Sequence, residues 1–525
     1  MTSTTRDIFT QRVREGLVVP VMRTLFADAL TPVGLYRSLA EGRAGSFLLE
    51  SAEQGGIWSR YSFIGVHAFG VLTEHDGAPI WLPGSIDADR AFGAALPSTT
   101  LGALDALYAR WRTPEYRDDP PLTGGLVGFI GWDAVRQLEN LPDAPPLDFP
   151  CPEMAMAFVS ELIVMDHRQG TVSLIVNVLA DGLNRSPADS ALDGTVDGTV
   201  DGALAEALWV DAQLRLDALE LALAQPAEPG IAHIDLDTAP LASSRSTPED
   251  FLGAVARSQE FVRDGDVFQV VIAQRFDHEL TASPLDVYRV LRALNPSPYM
   301  YALTLETADG HPYAIVGSSP EALVKVTEGR VHTHPIAGSR PRGSTPERDA
   351  ALADELLADR KEQAEHLMLV DLGRNDVSKV CRAGTVEVTE FMQVERFSHI
   401  MHLVSTVEGE LRDDVTPIDV FRATFPAGTL SGAPKPRALQ VIDELEPARR
   451  GVYGGVVGYF SFSGDLDLAI AIRTAYLADG VARVQAGAGV VADSVPDAEY
   501  RETLAKAAAP LRAVAIANAL TPVTQ

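Results

Sequence analysis

Two Glu-x-x-Glu pairs stand far apart in the sequence, Glu362 with Glu365 and Glu499 with Glu502. In a helix, a spacing of three puts both side chains on one face. Four carboxylates from two such helices offer only oxygen, which suits a hard divalent cation such as Mg2+ better than zinc or copper. Two solvated helix faces carry the same spacing, and spacing alone does not choose between these readings. A zinc site fails on residue types. Glu362-Gln-Ala-Glu365-His366 has the shape of an inverted zincin motif, but with glutamate where its first histidine belongs.

Other polar residues near these acids are hard to explain as packing. The stretch 335–343 (PIAGSRPRG) sets Arg340 and Arg342 in a turn framed by Gly and Pro, where they can clamp a carboxylate bidentately. The stretch 429–435 (TLSGAPK) leads into a helix at Pro434, whose free N–H groups attract anions. It lacks the glycine spacing and the Lys-Ser/Thr ending of a phosphate-binding P-loop. The stretch 485–492 (QAGAGVVA) mimics a dinucleotide fingerprint, yet Ser494-Val-Pro496 interrupts the helix that should follow at once. Gly487 and Gly489 then read either as a close backbone approach to a ligand carboxylate or as turn glycines. His366 and His402 add proton-transfer capacity, although a histidine in an apolar strand, as His402 is, can equally be a hydrogen-bonded core residue. Glu321 follows a strand and a proline, and can be a general acid if burial raises its pKa. Cys151 and Cys381 read as structural thiols.

The elements that must position these residues differ along the chain. In residues 1–182 short β-rich runs at 45–49, 61–72, 126–130, 156–164 and 172–178 alternate with Gly/Pro/Asp turns, and a helix is expected over 101–111. Residues 183–246 read as an acidic, glycine-containing linker with one amphipathic helix over 203–224. Its Asp193–Gly202 repeat resembles a calcium loop but lacks the acid spacing and closing Glu. Residues 247–518 mix helices (from Thr247-Pro-Glu-Asp250, 346–372, 417–424, 434–444, 496–517) with strands (267–275, 299–305, 314–318, 452–462, 468–476, 481–486). Residues 519–525 are a tail. This order predicts an α+β (mixed α/β) fold.

Composition narrows the class. The 525 residues carry 72 acidic and 43 basic side chains, a net charge of −29, which disfavours a polyanion such as nucleic acid as partner. Two cysteines and no secretory pattern in the first ten residues suggest a cytoplasmic protein, and no apolar run is long enough to span a membrane.

Six stretches in order, 362–376 (EQAEHLMLVDLGRND), 399–409 (HIMHLVSTVEG), 428–436 (GTLSGAPKP), 450–460 (RGVYGGVVGYF), 471–475 (AIRTA) and 484–491 (VQAGAGVV), resemble the chorismate-utilising enzymes, in particular the large, aminating subunits of anthranilate synthases. The resemblance runs over about 247–510. More loosely, 48–51 (LLES) and 295–300 (NPSPYM) are similar to that family's tryptophan-binding elements.

The resemblance implies two large antiparallel sheets packed as a sandwich with helices outside. It implies Mg2+ held by Glu362, Glu365, Glu499 and Glu502. It also implies chorismate contacts from Ser339, Arg340, His366, Thr429, Tyr453, Arg473, Gly487, Gly489 and Lys506. Glu321 matches the general acid for loss of the C4 hydroxyl, and His402 a residue of the second step, loss of the C2 proton and of pyruvate. Thr429 counts among the catalytic residues. So does Gln269, which stands where water-using relatives carry a lysine base. An allosteric tryptophan site is implied at Glu50, Ser51, Asn295, Pro296, Ser297, Pro298, Tyr299 and Met300. Ala337 departs from the lysine common in the 4-aminating enzymes of folate synthesis, the nearest alternative; a non-catalytic tryptophan sensor is another. Ser339, Arg360, Gln363 and Ser461 depart from the usual pattern without removing a required group. Since neither cysteine reads as an amidotransferase nucleophile, a separate glutamine amidotransferase subunit is expected, in a heterotetramer of two large and two small subunits.

Overall fold

Among the described residues, apolar segments from both ends of the chain pair into one antiparallel network of 21 strands, with a small pair, Ala232–His233 and Thr521–Pro522, apart from it. The computed structural model describes residues 3–51, 60–116, 119–183, 202–225, 230–396 and 400–523. Most of the Asp193–Gly202 repeat, and His399 of the 399–409 motif, lie outside the described residues.

Two long strands, Tyr61–His75 and Met154–Asp166, take part in both layers of the network. The first half of Tyr61–His75 and the second half of Met154–Asp166 run together. From there the sheet continues through Ser46–Glu50, Tyr299–Glu306, Pro312–Ser319, Thr474–Ala478 and Val481–Val490 to Gln269–Glu279. The opposite halves lead through Gly125–Ile130, Val456–Ser461, Leu466–Ile470, Ala322–Thr327 and Arg330–Thr333 to Ile400–Glu410. Register shifts between Gly65 and Gly70 lie where the pairing passes from one layer to the other, the bend that bulges allow.

Side-chain parity shows the layering. Val127 and Phe129 pack with Phe47, Leu162, Tyr301 and Tyr476 in a core built almost wholly from strand residues. Their neighbours Leu126 and Ile130 point the other way, into a core shared with Leu104 and Trp111 of helix Thr100–Trp111. Likewise Ile315 faces the first core, whereas Ala314 and Val316 lie under Leu291 and Val514 of helices Pro284–Leu294 and Pro496–Asn518. This is the expected sandwich with helices outside, its two layers joined by shared strands. Each large apolar side chain so buried contributes ~1.5–3 kcal/mol.

Helix starts follow the cap chemistry. Helix Pro248–Arg263 opens with a reciprocal capping box between Thr247 and Asp250, and Pro417–Thr424 with one between Thr416 and Asp419. Two expected elements are divided. The helix over 346–372 is two helices, Pro346–Ala358 and Arg360–Ser378, because the Asp359 carboxylate accepts the N–H groups of Lys361 and Glu362 and starts a new helix. The strand over 468–476 is Leu466–Ile470 and Thr474–Ala478, broken at Arg473, whose φ of 51° is incompatible with a strand.

Candidate active site

Glu321 leaves the end of strand Pro312–Ser319, and its N–H donates to Ser319 Oγ at 3.3 Å. Its carboxylate accepts the Thr429 hydroxyl at 2.9 Å. Burial pushes its pKa up to about 7, against the opposing pull of Thr429, Lys506, His334 and Arg473. The group is therefore poised to be a proton donor near neutrality, as expected of a general acid.

Cationic groups face it. Lys506 Nζ donates to the Gly487 carbonyl at 2.9 Å and lies 2.6 Å from Glu502. Burial lowers the pKa of Arg473, while Tyr453, Glu502 and Glu321 favour its charge. Its left-handed backbone turns out of the strand line, and its carbonyl accepts the Ser318 N–H at 3.2 Å. Tyr453 is buried beside Gly487, its pKa pushed up to about 12 by burial. Gly487 and Gly489 are strand residues of Val481–Val490 and not turn glycines. A Cβ on Gly487 would lie 2.8 Å from the Tyr453 hydroxyl, and one on Gly489 2.5 Å from Gln269 Nε2, so both glycines keep this floor open.

The four glutamates approach from two helices. Gln269 Nε2 donates to Glu365 at 3.2 Å, Arg340 lies 3.7 Å from Glu362, and Lys361 acts electrostatically on Glu499. Among the described residues no three His, Cys, Asp or Glu side chains are gathered as ligands of one ion. The charge balance nonetheless fits a cation. Glu362 is raised by burial and then by Glu365 and Asp359; Glu499 is raised by burial and, among its charged neighbours, by Glu502. The donors are oxygen alone, the type that a hard cation such as Mg2+ takes.

His402, on strand Ile400–Glu410, donates Nδ1–H to the Gly338 carbonyl at 3.0 Å, and burial lowers its pKa. Three further residues expected to contact substrate are His366, Arg340 and Ser339. His366 is fully buried with Nε2 2.6 Å from Ser405 Oγ, and burial lowers its pKa to about 4. Its Nδ1 is buried with no hydrogen-bond partner among the described residues. Arg340 is engaged by Asp359 at 2.8 Å and by Glu355, and Arg342 by Asp349 at 2.7 Å, so the two arginines brace the neighbouring helices and form no joint carboxylate clamp. Ser339 is exposed on strand Ile336–Pro341, paired in register with His402.

The residues expected to form a tryptophan site also come together. Glu50 pairs in register with Met300, and its buried carboxylate accepts the Tyr288 hydroxyl at 2.5 Å and is bonded by Arg292. Asn295 Nδ2 donates to Ser318 Oγ at 2.9 Å, and Ser318 Oγ lies 2.9 Å from Ser297 Oγ. Pro296 and Pro298 shape this turn before Tyr299 enters its strand. Ser51 follows directly on Glu50, and its hydroxyl is buried with no hydrogen-bond partner among the described residues.

Sequence reasoning overlooked Trp132 and Glu446, and Arg450 stood unassigned inside the 450–460 motif. Arg450 reaches the Leu430 and Val271 carbonyls and the Trp132 ring, contacts between distant segments that residue spacing cannot report.

The chain matches the family described as chorismate binding enzyme over residues 85–512, and it belongs to that family. It is 51% identical over 519 residues to anthranilate synthase component 1 of Arthrobacter globiformis, covering 98% of this chain and 94% of that one. It is 48% identical over 519 residues to the same component of Mycolicibacterium smegmatis, covering 99% and 95%. The solved anthranilate synthase component I from Streptococcus pneumoniae TIGR4 superposes with a TM-score of 0.70 at 36% identity, over 93% of this chain and 99% of that one. The menaquinone-specific isochorismate synthase of Escherichia coli, 18% identical with a TM-score of 0.64 over 97% and 98%, shares the fold.

Proposed function

We propose that this chain is the large, aminating subunit of an anthranilate synthase, converting chorismate and ammonia to anthranilate and pyruvate, the first committed step toward tryptophan. The observation that carries the reading is the Glu321–Thr429 pair, an acid of pKa about 7 facing Lys506 and Arg473. It lies in a chain 51% identical to a component 1 over nearly its whole length.

Arg473 and Lys506 hold the substrate carboxylates, and Tyr453 with the two glycines shapes the floor beneath the ring. Protonated Glu321 gives its proton to the C4 hydroxyl oxygen as the C4–O bond breaks and water leaves, while ammonia adds at C2. Gln269 is a neutral amide, suited to a neutral nucleophile; it has no basic group with which to activate water. The lowered pKa of His402 keeps its ring neutral, and with Nδ1–H donated to Gly338 the lone pair is on Nε2, which takes the C2 proton as pyruvate departs. Glu362, Glu365, Glu499 and Glu502 would hold Mg2+, which when bound offsets the charge of the ring carboxylate.

Ala337 supplies no amine to attack the ring, which favours this chemistry over 4-amination. A separate glutamine amidotransferase subunit would supply ammonia in a cytoplasmic complex of two large and two small chains, and tryptophan bound at Glu50, Ser51 and the 295–300 segment would inhibit it. The test is product chromatography after incubating the purified chain with chorismate, Mg2+ and ammonium. Anthranilate supports the reading; 4-amino-4-deoxychorismate, or no product, overturns it.

A further inference from the structure

One buried ion pair outside the assigned residues touches several elements of the site at once. Arg450, 2% exposed, pairs with Glu446 through Nε at 2.9 Å and Nη2 at 2.6 Å. Its Nη1 donates to the Leu430 carbonyl at 2.7 Å, and its Nη2 also to the Val271 carbonyl at 2.9 Å. Glu446 in turn accepts the Ala273 N–H at 2.8 Å. The guanidinium carbon lies 4.2 Å from the Trp132 ring centroid and 5.5 Å from that of Tyr453. Leu430 follows the residue that hydrogen-bonds Glu321, Val271 and Ala273 lie on the strand that carries Gln269, and Tyr453 lies against Gly487.

We infer that Arg450, clamped by Glu446, is a positioning residue that sets Thr429, Gln269 and Tyr453 relative to one another for the reaction proposed above, on which this inference rests. A planar guanidinium with several donors in fixed directions can hold two carbonyls and a carboxylate together, whereas an ammonium is a point charge on a flexible stem. Stability alone is a poor reason for such a pair. Replacing a buried ion pair by well-packed neutral groups is often neutral for folding, while removing one partner strands a buried charge. Here the donors fall on backbone beside the reacting residues, and Trp132 brings the amino-terminal region into the same contact.

That asymmetry supplies the test. Arg450→Met, Arg450→Lys and the double variant Glu446→Gln/Arg450→Met are compared with the parent chain for melting temperature, kcat, KM for chorismate and the pH profile of kcat, using Mg2+ and ammonium. The amide of Glu446→Gln keeps an acceptor for Ala273. The double variant is expected to melt closer to the parent than Arg450→Met does, yet to keep a kcat at least tenfold low. Its alkaline limb should move to higher pH, because Thr429 no longer holds the Glu321 carboxylate. Recovery of parental kcat and pH limb along with melting temperature overturns the inference. If the double variant does not fold, Arg450→Lys decides: a folded protein with reduced kcat and a shifted limb supports positioning, and a parental profile refutes it. Failure of the parent chain to make anthranilate would instead strike the proposed function.

Discussion

Thr429→Val removes the hydroxyl that Glu321 accepts at 2.9 Å while keeping the side chain's shape. The hydroxyl favours the charged form of the acid, so its loss raises the pKa further. A hydrogen bond to a charged group contributes ~1.5–3 kcal/mol. At ~1.4 kcal/mol per pKa unit this is a shift of ~1–2 units. An acid that works protonated loses activity as pH rises through its pKa, so the alkaline limb of kcat should move from about 7 to ~8–9. The assay is steady-state anthranilate formation at saturating chorismate and Mg2+, with ammonium adjusted at each pH to hold free NH3 constant. Thr429 is also assigned a substrate contact, so KM is expected to rise as well; the limb of kcat isolates the effect on the acid. A limb that stays in place, or moves to lower pH, refutes the assignment of Glu321 as the acid tuned by Thr429.

Glu321→Gln keeps the size of the side chain but cannot donate an acidic proton, and kcat should fall by ~10^2–10^4 with chorismate still bound, read by product formation and isothermal titration; near-parental turnover would discard the acid role. Glu499→Gln should raise the Mg2+ concentration for half-maximal activity ~10–100-fold, the scale on which metal sites respond to altered ligand support, and an unchanged Mg2+ titration would remove Glu499 from the metal set. Ser51→Phe fills the space beside Glu50 and should leave turnover intact while lifting inhibition by tryptophan, measured as initial rate against tryptophan concentration; unchanged inhibition would move the site elsewhere.

Many strands were legible because they are apolar, β-rich and bounded by turn residues, whereas their packing as a sandwich was expected from the family resemblance. The expected runs 61–72 and 126–130 appear as Tyr61–His75 and Gly125–Ile130, and helix 417–424 as Pro417–Thr424. What escaped is either local backbone chemistry or contact between distant segments. Asp359 divides one expected helix because its carboxylate finds two backbone N–H groups, and Arg473 interrupts one expected strand because its backbone is left-handed. Periodicity is blind to both. The amino-terminal elements Arg6–Glu15, Val18–Phe26 and Pro32–Leu39 carry weaker patterns and went unassigned. In the site, Glu321 is hydrogen-bonded by Thr429 and feels the charge of Lys506, while His366 is buried against Ser405 and Arg340 is engaged by Asp359 and Glu355. Arg450 and Trp132, 318 positions apart, meet in a contact that only the fold reveals.

Early strands of the network lie beside late ones, which bears on how the chain is made. Ser46–Glu50 pairs with Tyr61–His75 on one edge and with Tyr299–Glu306 on the other, and Gly125–Ile130 with Met154–Asp166 on one edge and Val456–Ser461 on the other, so one edge of each early strand waits for residues synthesised hundreds of positions later. During translation the first 182 residues therefore present unpaired strand edges until the last third of the polypeptide has emerged. Closing loops of that length before any pairing is rewarded makes folding slow. Residues 1–182 and 247–518 are thus not separable cassettes that could be exchanged between relatives at the intervening linker: they share one strand network, and a graft between them would have to bring both sides of every shared strand pair.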